Sequence, residues 1–178
     1  LTPLLEKMAQ DPRFEPIVLC SRNRSKANDD SYAFFSKLYA KNPRITVVDG
    51  GMHIDENISP YELGADVVFF HTPYSHGPNH PFFLWAEFVA RHTRVAHVNY
   101  GYFLLTLEGT ASHIYDSPHI QTADMVFSEG DVSDRVFRDR FGDARVHKTG
   151  YPKFDSFRAH LEKTPFEERV AGKEKLDI

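Results

Sequence analysis

The chain is poor in cysteine, in long apolar runs and in excess charge of one sign. Cys20 is the single cysteine, so neither an intrachain disulfide nor a thiolate zinc cluster can form. It closes the apolar run Ile17-Val18-Leu19, which reads as a buried core thiol rather than a nucleophile, and the chemistry suits a reducing cytosol. No apolar stretch approaches membrane-span length, and no basic segment followed by an apolar one marks a secretory leader. The formal net charge of −4 lacks the basic excess that nucleic-acid binding requires. Arg22, Arg24 and Lys26 are diluted by Asp29 and Asp30, so they read as a solvated loop. Position 1 is not Met and the opening is already helix-like, which leads us to expect a trimmed chain.

Several fingerprints are also missing. There is no G-x-G-x-x-G after a strand and no G-x-x-x-x-G-K-[ST], which disfavours a dinucleotide dehydrogenase and a P-loop NTPase. No G-x-S-x-G elbow points to a hydrolase.

What is present is a strand–helix rhythm. The 178 residues suffice for one domain with a proper core. Leu1, Leu4, Leu5 and Met8 share one helical face, and Asp11-Pro12 stops that helix. Pro16–Cys20 reads as a fully apolar strand, Ser31–Ala40 as a helix with Tyr32, Phe35, Leu38 and Tyr39 inward, and Arg44–Val48 as a strand. Further strands are expected at Ala65–Phe70, Arg94–Asn99, Asp124–Ser128 and Arg145–Thr149, with helices at Phe82–Arg91 (holding Trp85) and Val132–Phe141. Strands recur every roughly 25–30 residues, the rhythm of right-handed βαβ units in a parallel sheet. The fold class is therefore α/β: a Rossmann-like, mostly parallel sheet with helices on both faces. Residues 1–161 form the domain, and the charged stretch 162–178 reads as a linker or helix leading elsewhere.

Open parallel sheets gather ligands at the carboxyl ends of their strands, and polar residues collect there. His71, Tyr74, His76, Asn79 and His80 follow the third strand, and Tyr100, Gly101 and Tyr102 follow the fourth. Ser128 ends the fifth strand ahead of Glu129-Gly130-Asp131, and Gly150 and Lys153 lie in the corner after the sixth. His71, His76 and His80 are five and four residues apart in a Pro-rich loop, with no helix to set their faces, so we expect pocket-lining or solvated side chains and no metal. His97 alternates into a strand, either as a core histidine or as a general base. The turn after Ser128 offers free N–H groups to an anion, or is simply capped by Asp131 or Ser133. Gly150-Tyr151-Pro152-Lys153 makes a strand-to-helix corner with Pro152 at the first helical position; Lys153 either faces a phosphate or serves the corner alone.

ADVVFFHTPY, Asn79-His80-Pro81, VNYGYFLL, ADMVFSEGDVSDRVFRDRFG and HKTGYPKFDSF, in that order, resemble the N-terminal half of the CDP-glycerol glycerophosphotransferases, enzymes of GT-B fold. The resemblance implies an acceptor-side domain lacking its first strand, with the nucleotide-activated donor held by a C-terminal domain beyond Ile178. It implies cell-surface polymer (teichoic acid or polysaccharide) synthesis, in the cytosol or at the inner membrane face through peripheral association. It implies no cofactor and an inactive fragment. The family's His-Gly-Thr-Pro motif is replaced by Asn99-Tyr100-Gly101-Tyr102, so Tyr100 stands where the basic His would be. A phenol is a poor base at neutral pH, which leaves His76, His97 and Tyr100 as candidate bases. Two other readings remain open on sequence: another GT-B-type enzyme such as a nucleotide-sugar epimerase, and a non-catalytic flavodoxin-like binding domain.

Overall fold

The computed structural model describes residues 2–20, 31–50, 58–71, 85–99, 115 and 117–163. Along these the elements are α1 (Thr2–Gln10), β1 (Ile17–Cys20), α2 (Ser31–Tyr39), β2 (Thr46–Asp49), β3 (Val67–Phe70), α3 (Ala86–Val89), β4 (Arg94–Val98), α4 (Pro118–Gln121), β5 (Met125–Ser128), α5 (Asp131–Phe141), a 3-10 turn (Asp143–Arg145), β6 (Val146–Lys148) and α6 (Pro152–Lys163). The fold is mixed α/β with parallel sheets flanked by helices. Every described strand pair is parallel. The described strands fall into a two-stranded sheet, β1-β2, and a four-stranded sheet, β3-β4-β5-β6.

The larger sheet buries the main core. Val68 and Phe70 on β3, Val95 on β4, Val126 on β5 and Val146 on β6 lie on one face, because the registers Val68↔Val95, Phe70↔His97, His97↔Val126 and Val126↔Val146 carry the alternation from strand to strand. Against that face pack Ala86 and Val89 of α3, Ile120 of α4, Phe137 of α5, and Tyr115. Phe137 and Tyr115 meet edge to face with centroids 5.0 Å apart, a geometry that aromatic quadrupoles favour. The β4–β5 entry is extended by a side chain: Asp124 accepts from the Val95 amide at 2.8 Å while its own amide donates to the Val95 carbonyl at 2.8 Å. Arg145 pins the end of α4, donating to the Gln121 carbonyl at 2.7 Å and the Ala123 carbonyl at 2.9 Å.

The smaller core joins Ala9 and Leu5 of α1 to Phe35 and Tyr39 of α2 over Val18 and Val47, with Ile45. Here the inward face of α2 differs from expectation. Phe35 and Tyr39, four apart, stack at 6.3 Å, whereas Tyr32 and Leu38 are exposed. Residues i and i+4 superpose on a helix, and 32 and 38 fall to the flanks of the stripe centred on 35 and 39. Cys20 is buried, as expected of a core thiol.

One cap also differs from the sequence reading. The N-cap of α5 is Gly130, not Asp131 or Ser133; Ser133 in the first turn instead reaches back, its hydroxyl accepting from the Gly130 amide at 3.3 Å. α4 and the buried Tyr115 carry no periodic signal and were not foreseen. The corner after β6 is as expected: Pro152 opens α6, and Gly150 has φ of +83°. A Cβ there would meet nothing within 4 Å, so Gly150→Ala costs only the left-handed backbone, about 1–2 kcal/mol. We expect a matching fall in urea midpoint with unchanged slope; no fall would mean that the corner relaxes.

Candidate functional site

The carboxyl ends of β3, β4 and β5 converge on a buried polar chain. Strand alternation places His97 and Asn99 on one face, two residues apart, so their side chains can meet. His97 Nε2 lies 2.6 Å from Asn99 Oδ1, and Asn99 Nδ2 donates to Glu129 Oε2 at 2.7 Å. His97, Asn99 and Glu129 are all buried. The carboxylate fixes the order of this chain. It accepts only, so the Asn99 amide nitrogen must face it and the Asn99 oxygen must face His97. The proton therefore sits on His97 Nε2, and Nδ1 carries the lone pair. Nδ1 is buried and meets no hydrogen-bond donor among the described residues.

Aromatic edges hold the imidazole. Its ring lies 5.3 Å from that of His119 on α4, at 81°, and His119 in turn meets Phe70 edge-on at 4.7 Å. Burial lowers the His97 pKa to about 4, with a smaller contribution from His71; the bond to Asn99 opposes the shift. His97 is thus neutral at pH 7. Unfolded, it would titrate near 6.5 and take up a proton that the fold refuses. Stability is therefore full above about pH 6.5 and falls as the pH drops from 6.5 toward 4, by up to about 3 kcal/mol. His97→Gln, which keeps a donor toward Asn99, should flatten that limb of a stability-against-pH curve. An unchanged limb would assign it to other groups.

The neighbouring ends add charge and hydroxyls. Burial raises the Tyr115 pKa first and the Glu129 carboxylate second, with Arg140 opposing. Arg140 lies 5.5 Å from the Tyr115 ring. Ser128 is fully buried, and its hydroxyl donates to Asp134 at 2.7 Å. Asp134 is held below the usual carboxylate range by Arg138, 2.8 Å away, and then by Ser128. The Ser128 carbonyl accepts the Thr149 amide at 3.1 Å and the Gly150 amide at 3.2 Å. The start of α5 is thus furnished with carboxylates: Asp131, bound by Lys148, together with Asp134 and Glu129. That setting repels an anion.

His71, at the end of β3, is exposed, yet partial loss of hydration lowers its pKa, and nearby positive charge including Lys153 lowers it further. Lys153, in the first turn of α6, lies 5.8 Å from the Tyr151 ring. The structure therefore brings His71, His97, Ser128, Gly150 and Lys153 to the carboxyl end of the larger sheet. Tyr74, His76, Asn79, His80, Tyr100, Gly101 and Tyr102 lie outside the described residues. Asn99, Glu129, His119 and Asp134 are members that the sequence reading missed. The i, i+2 spacing of His97 and Asn99 in a strand and the i, i+4 spacing of Asp134 and Arg138 were the available signals.

Among the described residues no group of three or more His, Cys, Asp or Glu is set to hold a metal ion. None of their helices is long and apolar enough to cross a membrane. A cavity of about 360 Å³ lined by Glu6, Ala9, Gln10, Leu38, Tyr39, Lys41 and Asn42 sits where α1 and α2 end, at the amino ends of the strands, away from the polar chain. No family model, curated protein or solved structure matches the chain.

Proposed function

We propose that this chain is the acceptor-side domain of a transferase resembling the CDP-glycerol glycerophosphotransferases, with a Rossmann-like half of a GT-B fold. On this reading it acts in cell-surface polymer synthesis, with a nucleotide-activated donor held by a C-terminal domain. The observation that carries the reading is the convergence of His71, the His97–Asn99–Glu129 chain and Lys153 on the carboxyl ends of parallel strands, where such sheets bind ligands. Transfer to an acceptor hydroxyl needs a proton acceptor and cationic stabilisation of the departing phosphate. A neutral imidazole and a lysine are the groups of that chemistry present here. His97 is the candidate base on the described strands, since its Nδ1 lone pair is uncommitted among them. His71 and Lys153 face the acceptor side.

Titration calorimetry with CDP-glycerol, CDP and UDP-sugars tests the proposal, using this chain and the chain extended through the domain that follows. Binding of a CDP ligand by the extended chain alone supports it. Tight binding by the 178-residue chain alone overturns the donor assignment, and preference for UDP-sugars overturns the substrate class.

A further inference from the structure

The cavity at the ends of α1 and α2 stands on anchored elements. Leu5 and Ala9 of α1 and Phe35 and Tyr39 of α2 pack together over Val18 and Val47. Past the helix ends Arg44 ties the two segments to each other, donating to the Phe14 carbonyl at 2.8 Å and the Asp11 carbonyl at 3.3 Å. The Asn42 backbone amide donates to the Tyr39 carbonyl at 2.8 Å, and Asn42 Oδ1 accepts from the Arg44 amide at 3.2 Å. That bond fixes the orientation of the side-chain amide. Asn42 Nδ2 keeps its two N–H donors, which meet no acceptor among the described residues.

The two walls differ in charge. Glu6 and Gln10 belong to α1, whereas Lys41 and Asn42 follow α2. Among the described residues Glu6 and Lys41 form no ion pair, with each other or with any other group. The remaining lining is apolar: Ala9, the exposed Leu38, and the Tyr39 ring, which stacks on Phe35 at 6.3 Å. The Tyr39 hydroxyl is buried and makes no hydrogen bond among the described residues. Burial raises its pKa; Thr2, close by but outside bonding geometry, opposes the rise, and the Glu6 carboxylate adds to it. A buried hydroxyl is rarely left unbonded, so this one calls for a polar partner.

A ligand of one sign is repelled by one wall, an anion by Glu6 and a cation by Lys41. A molecule carrying both charges is repelled by neither. Its ammonium can donate to the Glu6 carboxylate and the Gln10 amide oxygen. Its carboxylate can accept from Lys41 Nζ and Asn42 Nδ2, and hydrogen bonds between ionised groups are the strong ones. The cavity of about 360 Å³ lies at the small end of ligand pockets, and Leu38 and Tyr39 offer an apolar side chain a surface.

We propose that this cavity binds a free α-amino acid with an apolar side chain, its ammonium against Glu6 and its carboxylate against Lys41 and Asn42. The site is separate from the polar chain and does not depend on the transferase reading.

Titration calorimetry on the protein with L-leucine, L-methionine and L-phenylalanine tests this, beside L-leucinamide and N-acetyl-L-leucine. At least one of the three amino acids should bind saturably at a single site. If none does, the proposal is overturned. The amide lacks the carboxylate and the acetyl derivative lacks the ammonium, so each should bind about 10-fold or more weakly than leucine. Equal binding of either analogue would overturn the zwitterion assignment. Glu6→Gln and Lys41→Met alter exposed side chains, so their urea midpoints should match the parent's. Each should weaken amino-acid binding about 10-fold. Glu6→Gln should also erase the preference over the acetyl derivative, and Lys41→Met the preference over the amide. Undiminished binding in both variants would place the ligand elsewhere and overturn the site.

Discussion

Phe137→Ala should cost about 3–5 kcal/mol of folding stability, read as a lowered urea midpoint. Phe137 is fully buried and sits between Tyr115 and Phe141, with ring centroids 5.0 and 6.0 Å away. It is the α5 contribution to the core that Val95, Val126 and Val146 build from three strands. Truncation removes the transfer free energy of a benzyl group and leaves a cavity that strands cannot collapse into without breaking register. A domain of this size has only about 5–15 kcal/mol in hand, so the variant should be partly unfolded near body temperature. A loss under about 1 kcal/mol would mean that α5 does not seal this face. Phe137→Leu should recover roughly half of the loss, because it refills most of the volume.

Asn99→Leu is expected to be comparably severe, about 3–5 kcal/mol, for a different reason. Leucine has nearly the shape of asparagine, so packing changes little. What changes is that the Glu129 carboxylate loses the amide donating to it at 2.7 Å and His97 Nε2 loses its acceptor at 2.6 Å. Buried polar groups deprived of partners bear their desolvation cost uncompensated, and a charged one bears most. Asn99→Asp separates polarity from identity. It sets two carboxylates side by side, a pair that holds best when it shares a proton. Its stability should therefore rise on acidification through the carboxylate range. The parent behaves oppositely there, because His97, held down to about 4, makes stability fall as the pH drops below 6.5. Parallel slopes for parent and Asn99→Asp would show that Asn99 does not bridge His97 and Glu129.

Much of the scaffold is legible in the chain because short apolar runs in parallel sheets have few alternatives. IVLC, TVV, VVFF, RVAHV, MVFS and VHK each fall on a strand. Continuously apolar runs of this length need no alternation to be recognised. α4 was not legible: four residues, Pro-His-Ile-Gln, cannot display a helical period. The inward side of α2 was misjudged because four aromatic and aliphatic residues compete for a stripe that holds two of them, Phe35 and Tyr39. The polar chain lay at a similar limit. His97 and Asn99 share a face by alternation alone, but Glu129 joins them only through the β4–β5 register that aligns Val98 with Phe127. Register is a tertiary quantity, set by packing and by the Asp124–Val95 bonds rather than by either strand's own residues.

The strand order of the larger sheet has a consequence for how the protein is made. β3, β4, β5 and β6 lie side by side in the order in which the ribosome delivers them. Each strand leaving the exit tunnel can pair with the one just before it, so no earlier edge waits on a later, distant segment. Synthesis at about 5–20 residues per second gives each unit seconds before the next arrives. This half of the molecule can thus grow by accretion during translation, each crossover helix sealing the pair beneath it.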